Sequence, residues 1–478
     1  MTTVGTHWET VIGLEAHVEL ATATKLFCGC PNAFGDEPNT NICPVCLGLP
    51  GSLPVVNDRA VELAARVGLA LQCEVHPSVF ARKNYFYPDM PKDYQISQYD
   101  LPINVHGRLE LPSGSTVGIT RAHLEEDTGK STHVGESGRI HGADYSLVDY
   151  NRAGVPLLEI VSEPDIRSAE QALEYVRELR AILLAVDASD AKMEEGSMRV
   201  DANVSVRPGP DAPFGTRCEI KNLNSLRSLG RAVEYETRRQ IDLLEAGEAV
   251  VQETRHWDEE AGRTRPGRRK EEAEDYRYFP EPDLVPLDPE SSWLESVRAG
   301  LAVLPAERRA RLAQAAGVEP TADAVRLLVA RDQDTLAREA IEAGGDPARV
   351  LTHVEQNVPA DAASTLDPKA LAALVELEAS GQLTATQAKV VLAELLAAGG
   401  TGDPAAIARA KGFEAMSDDA LAAAVDEAIA SSPEQWARFK AGEAKLQGFF
   451  VGKVMKATRG QADGGAVARF LAQRAASD

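Results

Sequence analysis

Residues 12–20 read IGLEAHVEL, and every second side chain from the first isoleucine onward is apolar. Successive side chains of a β-strand point to opposite faces of a sheet, so this period of two predicts a strand with one buried face. The other face carries Glu15, His17 and Glu19, an imidazole between two carboxylates. Two interpretations are open at this point: a half-exposed strand with a solvated polar face, or a strand that presents these groups to a functional site.

Three further segments share this alternation of apolar and polar residues: RVDANVSVR at 199–207, TRCEIKN at 216–222 and GITRAHLEEDTGK at 118–130. The turn-rich PGPDAPFG at 208–215 joins the first two and predicts an antiparallel hairpin. If the strands are neighbours, one face of the sheet collects a histidine and four carboxylates, namely Glu15, His17, Glu125, Asp201 and Glu219. The alternative is that each carboxylate has a basic partner of its own, drawn from Arg121, Arg199, Arg217 and Lys221.

A cluster of carboxylates on one face requires a compensating charge, because like charges repel unless a cation lies between them. Carboxylate oxygens favour Mg²⁺, although a histidine ligand leaves Mn²⁺ and Zn²⁺ open. We therefore predict that Glu15, His17, Glu125 and Glu219 converge on one divalent cation. A magnesium site of this kind commonly serves ATP, whose phosphate oxygens it bridges.

The known phosphate-binding loops are missing from the sequence, which has neither a GxxxxGK[ST] motif nor a strand–GxGxxG–helix unit. If ATP binds, the metal and side chains on the sheet must hold its phosphates. The candidates for this role are Lys83, Tyr85, Arg121 and Arg152. Each of them, taken alone, is more often a surface or packing residue.

Four of the six cysteines form two close pairs, Cys28 with Cys30 and Cys43 with Cys46, separated by twelve residues. This spacing is typical of a structural zinc site with four thiolate ligands, and unmetallated reduced thiols are the alternative. A closed four-coordinate zinc has no open position, so it would fold the loop and take no part in catalysis. The other two cysteines lie in apolar surroundings and are expected in the core.

Composition and charge limit the class of protein. The chain has 478 residues, enough for two to four domains, and 50 basic against 73 acidic residues give a formal net charge of −23. This excess disfavours indiscriminate binding to nucleic acid, although a local basic patch remains compatible with it. No apolar run approaches the roughly 20 residues of a membrane span, and no signal-peptide pattern opens the sequence, so we expect a cytoplasmic protein.

The pattern of the sequence changes near the proline-rich YRYFPEPDLVPLDPESS at 276–292. Before it, strands and helices alternate, with helices expected from Ser168 to about Val186 and from Ser225 to Glu245. After it, the chain is alanine-rich and helical. We predict an α+β fold in three domains: a mainly antiparallel domain over 1–293, a helical domain over 294–405, and a small helical tail domain over 406–478.

The tail contains a local excess of positive charge. Residues 434–478 carry eight basic and four acidic side chains, a net charge of about +4 on an acidic chain. Such a patch can guide a nucleic acid, and the alternative is a solvated helix end. The basic cluster over 263–270 is a second candidate patch, or a flexible charged loop.

The motifs named so far, together with CPVCLGLPGSLPVVN at 43–57, NRAGVPLLEIVSEPDIRS at 151–168 and DYRYFPEPDL at 275–284, resemble the GatB/GatE family. These are the B subunits of the tRNA-dependent amidotransferases. The resemblance covers essentially the whole chain in motif order. It implies an ATP-dependent ligase that phosphorylates the side-chain carboxylate of Glu-tRNA(Gln) or Asp-tRNA(Asn). Ammonia from a partner glutaminase then replaces the phosphate.

The resemblance also implies cofactors, partners and site residues. It implies ATP, Mg²⁺, a structural Zn²⁺, a glutamine-synthetase-like cradle in the N-terminal domain, and a heterotrimer with a GatA-like amidase and a small GatC-like subunit. The residues matching the family's metal and phosphoryl-transfer positions are Glu15, His17, Glu125, Glu126, Asp201 and Glu219. The segment GFFVGKVMKATRG at 448–460 resembles the family's tRNA-contacting segment, with Lys453, Lys456 and Arg459 as candidate contacts. A non-catalytic tRNA-binding scaffold and a free-standing carboxylate–amine ligase remain as competing functions.

Overall fold

The computed structural model describes residues 7–135, 143–267, 276–413, 418–458, 462 and 464–477. The contacts between residues divide the chain into two compact units, Met1–Ala306 and Glu307–Asp478. Within the described ranges, no helix combines the length and the apolar character that crossing a bilayer requires.

The first unit is built on one large sheet. Its strands are β1 Glu9–Glu19, β2 Glu74–Val75, β3 Ala81–Asn84, β4 Tyr94–Ser97, β5 Asn104–Glu110, β6 Thr116–Glu126, β9 Pro156–Ser162, β10 Met198–Arg207, β11 Cys218–Leu223, β12 Thr254–Asp258, β13 Arg263–Pro266 and β14 Phe279–Pro280, while β7 Lys130–Val134 and β8 Tyr145–Asp149 form a separate two-stranded sheet. In the described part of this unit, four α-helices accompany them: α1 Asp58–Ala70, α2 Ala169–Ala185, α3 Leu226–Glu245 and α4 Ser291–Ala299. The unit is therefore of mixed α and β structure.

The strand order of the large sheet is β13-β12-β11-β10-β1-β9-β6-β4-β3-β14, with β5 paired to β6 and β2 to β5. Every pairing is antiparallel except β11 with β12. The hairpin expected across 208–215 is confirmed, since β10 and β11 pair directly. The strand that opens the sequence lies at the centre of the sheet, between β10 and β9.

The apolar face of β1 is buried as its period of two predicts. Ile12, Leu14 and Val18 are at most 1% exposed and pack with side chains of α1, α2 and α3 in one hydrophobic core. Each such side chain contributes roughly 1.5–3 kcal/mol by leaving water. Because these helices cover one face of the sheet, the polar side chains of β1 lie on the other.

Local signals position the helices behind the sheet. Ser168 caps α2 by accepting a hydrogen bond from the backbone N–H of Gln171, and Ser225 caps α3 by accepting one from Ser228. Both helices match the expected ranges. The helix α4, which begins at Ser291, packs on α1 through Val297 within the first unit.

The second unit is helical. Its helices are α5 Pro305–Ala316, α6 Asp323–Ala330, α7 Asp334–Glu342, α8 Pro347–Asn357, α9 Pro368–Ala379, α10 Ala385–Ala397, α11 Pro404–Ala410, α12 Asp418–Ala430, α13 Pro433–Lys440, α14 Leu446–Ala457 and α15 Gly464–Ser477. The helices from α5 to α11 share one hydrophobic core, and those from α12 to α15 share another. The boundaries expected at 293 and 405 stay predictions.

Candidate functional site

The polar face of the large sheet brings together side chains that are far apart in the sequence. In the strand register, Glu15 lies opposite Asp201, and His17 lies between Arg199 on one neighbouring strand and Glu159 on the other. On the far side of β9, Glu159 is also paired with His123. The strands β10, β1, β9 and β6 therefore form one continuous polar face.

Three side chains of this face lie close enough together that they could hold a metal ion, and the name metal-binding group refers to these three. Ligand atoms of His17, Glu125 and Glu159 all lie within 4.8 Å of one another, and His17 Nε2 is 3.5 Å from Glu159 Oε2. Around an octahedral Mg²⁺ with bonds of about 2.1 Å, ligand atoms are about 3–4.2 Å apart. The donor set of two carboxylates and one imidazole therefore fits a small divalent cation after a small adjustment.

The other two residues expected at this cation have different neighbours. Glu15 accepts a hydrogen bond from Asn203 Nδ2 at 2.8 Å. Glu219 accepts one from Thr254 Oγ1 at 2.9 Å and lies 3.3 Å from Lys221 Nζ. Among the described residues, the group around His17 contains neither of them.

The protonation of the group reflects strong coupling between its members. Burial alone would lower the pKa of His17, but the hydrogen bond and charge of Glu159 outweigh it and raise the pKa to about 9. Burial and the charge of Glu159 raise the pKa of Glu125 to about 7. Burial would raise the pKa of Glu159, but the hydrogen bond and charge of His17, together with the charge of Lys83, hold this pKa well below its usual range. Without a metal, a protonated His17 is thus the counter-ion of Glu159.

The second histidine of the face behaves in the opposite way. Burial lowers the pKa of His123 to about 4, although Glu159 acts against this shift. His123 Nε2 is 3.8 Å from Glu159 Oε2, and its Nδ1 is buried with no hydrogen-bond partner among the described residues. A neutral His123 can therefore donate or accept a hydrogen bond but brings no charge.

A cluster of oppositely charged side chains lies beside the metal-binding group, near the end of the strand β6. Asp127 receives a hydrogen bond from Arg199 Nη2 at 2.8 Å and lies 3.5 Å from Arg152 Nε. Burial opposes its ionisation, but the two arginines lower the pKa of Asp127. Burial and the charge of Asp127 raise the pKa of Glu19 to about 7. Arg152 also donates to the carbonyl groups of Thr128 and Gly129, so it is held in place beside the polar face.

A third cluster lies on the side of β11. Lys221 Nζ is 2.8 Å from Asp201 Oδ2 and 3.3 Å from Glu219 Oε1. Burial disfavours its charge, but Asp201 and Glu219 raise the pKa of Lys221 above its usual value. Both interpretations of the sequence therefore find support here, because some carboxylates have basic partners and others are grouped for a cation.

Three other candidate ATP-binding residues, Lys83, Tyr85 and Arg121, lie on the side of the metal-binding group away from β11. Arg121 Nη2 is 3.8 Å from Glu159 Oε1. Lys83 Nζ lies 5.0 Å from the ring centroid of Tyr276, and the Tyr85 and Tyr276 rings are in edge contact at 6.4 Å. A guanidinium and an ammonium thus border the cluster of carboxylates on this side.

Glu126 lies apart from Glu125 because consecutive strand residues face opposite ways. It is 2% exposed, forms an ion pair with Lys92 and accepts a hydrogen bond from the backbone N–H of Ile96 at 2.9 Å. Its carboxylate lines a cavity of about 140 Å³ that Cys28 and Cys46 also line. The structure thus places this expected catalytic residue among different neighbours from the other five.

The four cysteines of the expected zinc site are together, with every sulfur within 4.8 Å of the others. Four sulfurs about 2.3 Å from a tetrahedral zinc are about 3.8 Å apart, so the cluster fits this ion. A hydrogen bond from Cys28 lowers the pKa of Cys46 to about 5, and the charge of Lys25 acts in the same direction. Lys25 is fully buried and donates to the carbonyl groups of Asn41 and Tyr150, which ties the loop to the sheet domain.

The candidate tRNA contacts are on the helix α14. Lys453 Nζ donates to Ser432 Oγ at 2.5 Å, and Lys456 is exposed. Arg459 lies outside the described residues, as do residues 268–270 of the second basic cluster. Two other tail arginines, Arg438 and Arg474, are each paired with a carboxylate.

Sequence reasoning missed Glu159, although it is at the centre of the metal-binding group. It lies in PLLEIVS at 156–162, which is apolar apart from this residue and its terminal serine. A buried strand with a single acidic residue was the available signal, since an unpaired carboxylate is costly in such a place. The segment shows no repeated polar alternation, which was the pattern that selected the other strands.

Comparisons with known proteins agree with the motifs. The family model described as GatB/GatE catalytic domain matches residues 10–295, and the one described as GatB domain matches residues 348–474. Among relatives named as the B subunit of aspartyl/glutamyl-tRNA(Asn/Gln) amidotransferase, the Frankia casuarinae protein is 53% identical, with 98% of this chain and 95% of the relative covered. The Mycobacterium tuberculosis protein is 50% identical, with 97% and 94% covered, and the Picosynechococcus protein 46%, with 98% of each covered. The chain therefore belongs to the GatB/GatE family.

Proposed function

We propose that this chain is the B subunit of an aminoacyl-tRNA amidotransferase, a glutamine-hydrolysing ligase of translation that acts on Glu-tRNA(Gln), Asp-tRNA(Asn) or both. It activates the amino acid by transferring a phosphoryl group from ATP to the side-chain carboxylate. The observation that carries this proposal is the group formed by His17, Glu125 and Glu159 on the polar face of the sheet. The membership of the family supports it.

The reaction has two steps, and both balance without a redox partner. A carboxylate oxygen of the amino acid attacks the γ-phosphorus of ATP, and the bond to the β,γ-bridging oxygen breaks with ADP as the leaving group. Ammonia then attacks the carbonyl carbon of the acyl phosphate, inorganic phosphate leaves, and the nitrogen loses a proton to give the amide. Because two anions must meet in the first step, positive charge at the site is essential.

The residues of the site divide this work. His17, Glu125 and Glu159 would hold Mg²⁺, which offsets phosphate charge when bound. Lys83 and Arg121 border the group and supply further positive charge, and Lys221 supplies positive charge beside Asp201. Glu15 and Glu219 have other neighbours, so we assign them a positioning role in place of direct metal binding. Glu15 orients Asn203, and Glu219 and Asp201 orient Lys221.

Other residues are proposed to have supporting roles. Tyr85 and Arg152 are proposed to border the bound nucleotide. Glu126, on the opposite side of the strand β6, is proposed to act through its ion pair with Lys92. The cysteine cluster is proposed to bind a structural Zn²⁺, because its sulfurs have the spacing that four thiolate ligands need. These roles complete the set of site residues that the motifs indicate.

The organisation of the protein follows from the same proposal. Residues 1–293 would form the catalytic cradle with a glutamine-synthetase-like fold, 294–405 a helical domain, and 406–478 a tail that contacts misacylated tRNA through Lys453, Lys456 and Arg459. Ammonia would come from a GatA-like amidase in a cytoplasmic heterotrimer with a GatC-like subunit. The names of the relatives support a multi-subunit enzyme acting on tRNA.

The test uses the complex assembled with its amidase and small-subunit partners. We expect ATP-dependent conversion of Glu-tRNA(Gln) or Asp-tRNA(Asn), and hydroxylamine should trap the activated carboxylate as a hydroxamate. Glu125→Ala should lower hydroxamate formation by about 100-fold or more, the scale of losing a group that stabilises transition-state charge. The control Glu170→Gln changes an exposed residue of α2 and should behave as wild type.

The outcomes separate the competing functions. A complex that amidates tRNA equally well with Glu125→Ala would remove the site from the chemistry and favour a non-catalytic tRNA-binding scaffold. Amidation of a free amino acid without tRNA would instead favour a free-standing carboxylate–amine ligase. Loss of tRNA binding in Glu125→Ala would show a structural effect, because the proposal requires that binding survive.

A further inference from the structure

A wall of tyrosine rings borders the metal-binding group on the side away from β11. Tyr99 and Tyr278 stack in parallel, with ring centroids 4.0 Å apart and planes inclined by 11°, and Tyr276 meets Tyr278 edge-on at 6.0 Å. Tyr278 covers one face of Tyr99, which is nevertheless 42% exposed, so a flat group can stack on the side that Tyr278 leaves open. The name tyrosine wall refers to Tyr99, Tyr276 and Tyr278.

The tyrosine wall lies next to the carboxylates of the site. Ser97, two residues before Tyr99, is paired with Glu125 in the strand register. Burial and then the negative charges of Glu125 and Glu159 raise the pKa of Tyr278 above its usual value. The Tyr278 hydroxyl therefore stays protonated beside the metal-binding group and can donate a hydrogen bond there.

A basic residue between two of the rings has an unusual backbone conformation. Arg277 has a φ of 47°, in the left-handed region that residues other than glycine seldom adopt. Asn84 holds it there, because its Nδ2 atom donates to the carbonyl oxygens of Arg277 at 2.8 Å and of Tyr276 at 3.1 Å. The Arg277 side chain is exposed and forms no ion pair within the described ranges. The strained backbone thus keeps an uncompensated positive charge next to the rings.

We propose that the tyrosine wall binds the 3′-terminal adenosine of the misacylated tRNA. This inference rests on the proposed function, since the amino acid to be phosphorylated is esterified to that adenosine. The terminal base must therefore lie within one ribose and one amino acid of the metal-binding group. The adenine stacks on the open face of Tyr99, and Arg277 attracts the phosphate that precedes the terminal nucleoside.

Two features favour the end of a tRNA over ATP, which also contains an adenosine. Tyr99 presents an open surface, as a strand that continues away from the site requires, whereas small-molecule sites enclose most of their ligand. Aromatic rings beside an uncompensated arginine are also the combination that holds unpaired nucleotides, because a base can stack and its phosphate finds a positive charge. Stacking tolerates any base, so the tyrosine wall positions the end of the tRNA without reading its sequence.

The experiment follows the terminal base directly, in the complex assembled with its amidase and small-subunit partners. The first arm uses the tRNA that the complex amidates, with 2-aminopurine in place of the terminal adenine, because the emission of this fluorescent base falls when it stacks. The second arm compares the affinity of that tRNA with and without its terminal adenosine. The third arm measures binding of the non-hydrolysable ATP analogue AMP-PNP with Mg²⁺ and without tRNA.

Tyr99→Leu tests the stack, because it removes the ring and keeps an apolar side chain. In the wild-type complex the terminal adenosine should strengthen tRNA binding by about five- to 150-fold, the effect of one base–aromatic stack, and Tyr99→Leu should abolish most of this gain. Tyr99→Leu should also prevent the quenching of 2-aminopurine, while Tyr99→Phe, which keeps a ring, should preserve both effects. The control Phe34→Ala removes another exposed ring, at 83% exposure, and should behave as wild type.

Arg277→Asn tests the positive charge separately. Asparagine tolerates the left-handed backbone, so this variant removes the charge without adding strain. The slope of log affinity against log salt concentration should fall by roughly 0.7, the value for one phosphate contact with a single strand. AMP-PNP binding should be the same in Arg277→Asn, Tyr99→Leu and wild type.

Each outcome supports or overturns the assignment. If the terminal adenosine contributes equally to tRNA binding in Tyr99→Leu and wild type, with equal quenching of 2-aminopurine and continued amidation, the assignment is overturned and the proposed function stays intact. Weaker AMP-PNP binding in Tyr99→Leu, with both tRNA arms unchanged, would overturn it in favour of the base of ATP. A wild-type complex that forms no amide on tRNA in the presence of ATP and glutamine would overturn the proposed function itself.

Discussion

Glu159 contacts both histidines of the polar face, and the two imidazoles respond in opposite directions. The pKa of His17 rises to about 9 because Glu159 outweighs the effect of burial, whereas burial lowers the pKa of His123 to about 4. One carboxylate thus has a charged and a neutral imidazole as neighbours. A residue in this position should affect cation binding more than any other member of the group.

We expect Glu159→Gln to weaken divalent-cation binding by about ten- to 100-fold or more. Replacing a residue that only contacts a metal ligand already costs about this much affinity, so losing a ligand should cost at least as much. The amide keeps the size of the side chain but removes a charged oxygen ligand. Titration with Mn²⁺, followed by electron paramagnetic resonance, measures the affinity without any turnover. Glu170→Gln is the matched control, and equal Mn²⁺ affinity in both variants would exclude Glu159 as a ligand.

A second buried carboxylate, that of Glu236, is expected to contribute to the stability of the fold. Glu236 is fully buried and accepts hydrogen bonds from Arg239, Gln240 and Thr264. Burial opposes its ionisation, but these hydrogen bonds outweigh burial and lower its pKa. Its removal leaves buried charge uncompensated, so Glu236→Ala should lower the free energy of unfolding by about 3–5 kcal/mol.

The lowered pKa of Glu236 also determines how its contribution to the free energy of unfolding depends on pH. A carboxylate whose pKa is lower in the folded state stabilises the fold above its unfolded pKa of about 4.3, and this contribution is lost as the pH falls through the folded value. The difference between wild type and Glu236→Ala should therefore be largest at neutral pH and shrink in acid. Urea unfolding followed by the fluorescence of the buried Trp257 measures it, and the exposed Glu234→Ala should change little. A difference that grows in acid would contradict the prediction.

At the scale of elements, the loop with four cysteines joins β1 to α1 and is anchored by a buried lysine. Lys25 Nζ is 2.8 Å from the carbonyl oxygen of Asn41 and 3.2 Å from that of Tyr150. A loop of this length has little core of its own, so a metal would supply its cohesion. A Cβ at Gly154 would lie 3.6 Å from the Cβ of Cys46, so the loop also packs against the chain that leads into β9.

Elemental analysis of protein purified without chelator should find about one zinc per chain. Cys43→Ser with Cys46→Ser should remove it, because two of four thiolate ligands are lost. Cys73→Ala is the control, since Cys73 is buried elsewhere and should leave the zinc content unchanged. Absence of zinc from a folded and active wild-type protein would rule the site out.

Local elements were predictable from the sequence, and long-range contacts were less so. The caps at Ser168 and Ser225 and the hairpin of β10 and β11 depend on neighbouring residues, which is why they could be recognised. The insertion of β9 beside β1 depends on tertiary packing, and it is this pairing that brings Glu159 to His17. The central member of the metal-binding group was therefore hidden in a strand that gave only an apolar signal.

At the scale of the whole molecule, the distribution of charge distinguishes the tail from the rest of the chain. The chain as a whole carries −23, while residues 434–478 carry a net charge of about +4. The structure refines this picture, because Arg438 and Arg474 are paired with Glu443 and Asp426. The basic side chains differ in how readily they can reach a phosphate.

Replacing Lys453, Lys456 and Arg459 with Ala should weaken tRNA binding and flatten its salt dependence. Each lost phosphate contact removes roughly 0.9 from the slope of log affinity against log salt concentration for a duplex. Glutaminase activity of the assembled complex without tRNA should change little. Binding across a salt series measures the effect.

The control for this experiment is Arg438→Ala with Arg474→Ala, which removes two basic groups that already have carboxylate partners. It should reduce the slope by less than the triple variant does. Affinity and slope equal to wild type in the triple variant would place the tRNA contact elsewhere, with the basic cluster over 263–270 as the next candidate.

The central position of β1 has a consequence for how the protein is made. This strand leaves the ribosome long before its neighbours, because His17 pairs with Glu159 about 140 residues later and Glu9 pairs with Arg207 about 200 residues later. At about 5–20 residues per second, the strand waits roughly seven to forty seconds for its neighbours. During this time its alternating apolar side chains and unpaired backbone groups are open to wrong partners, so a nascent-chain chaperone should matter more for this protein than for one with local contacts.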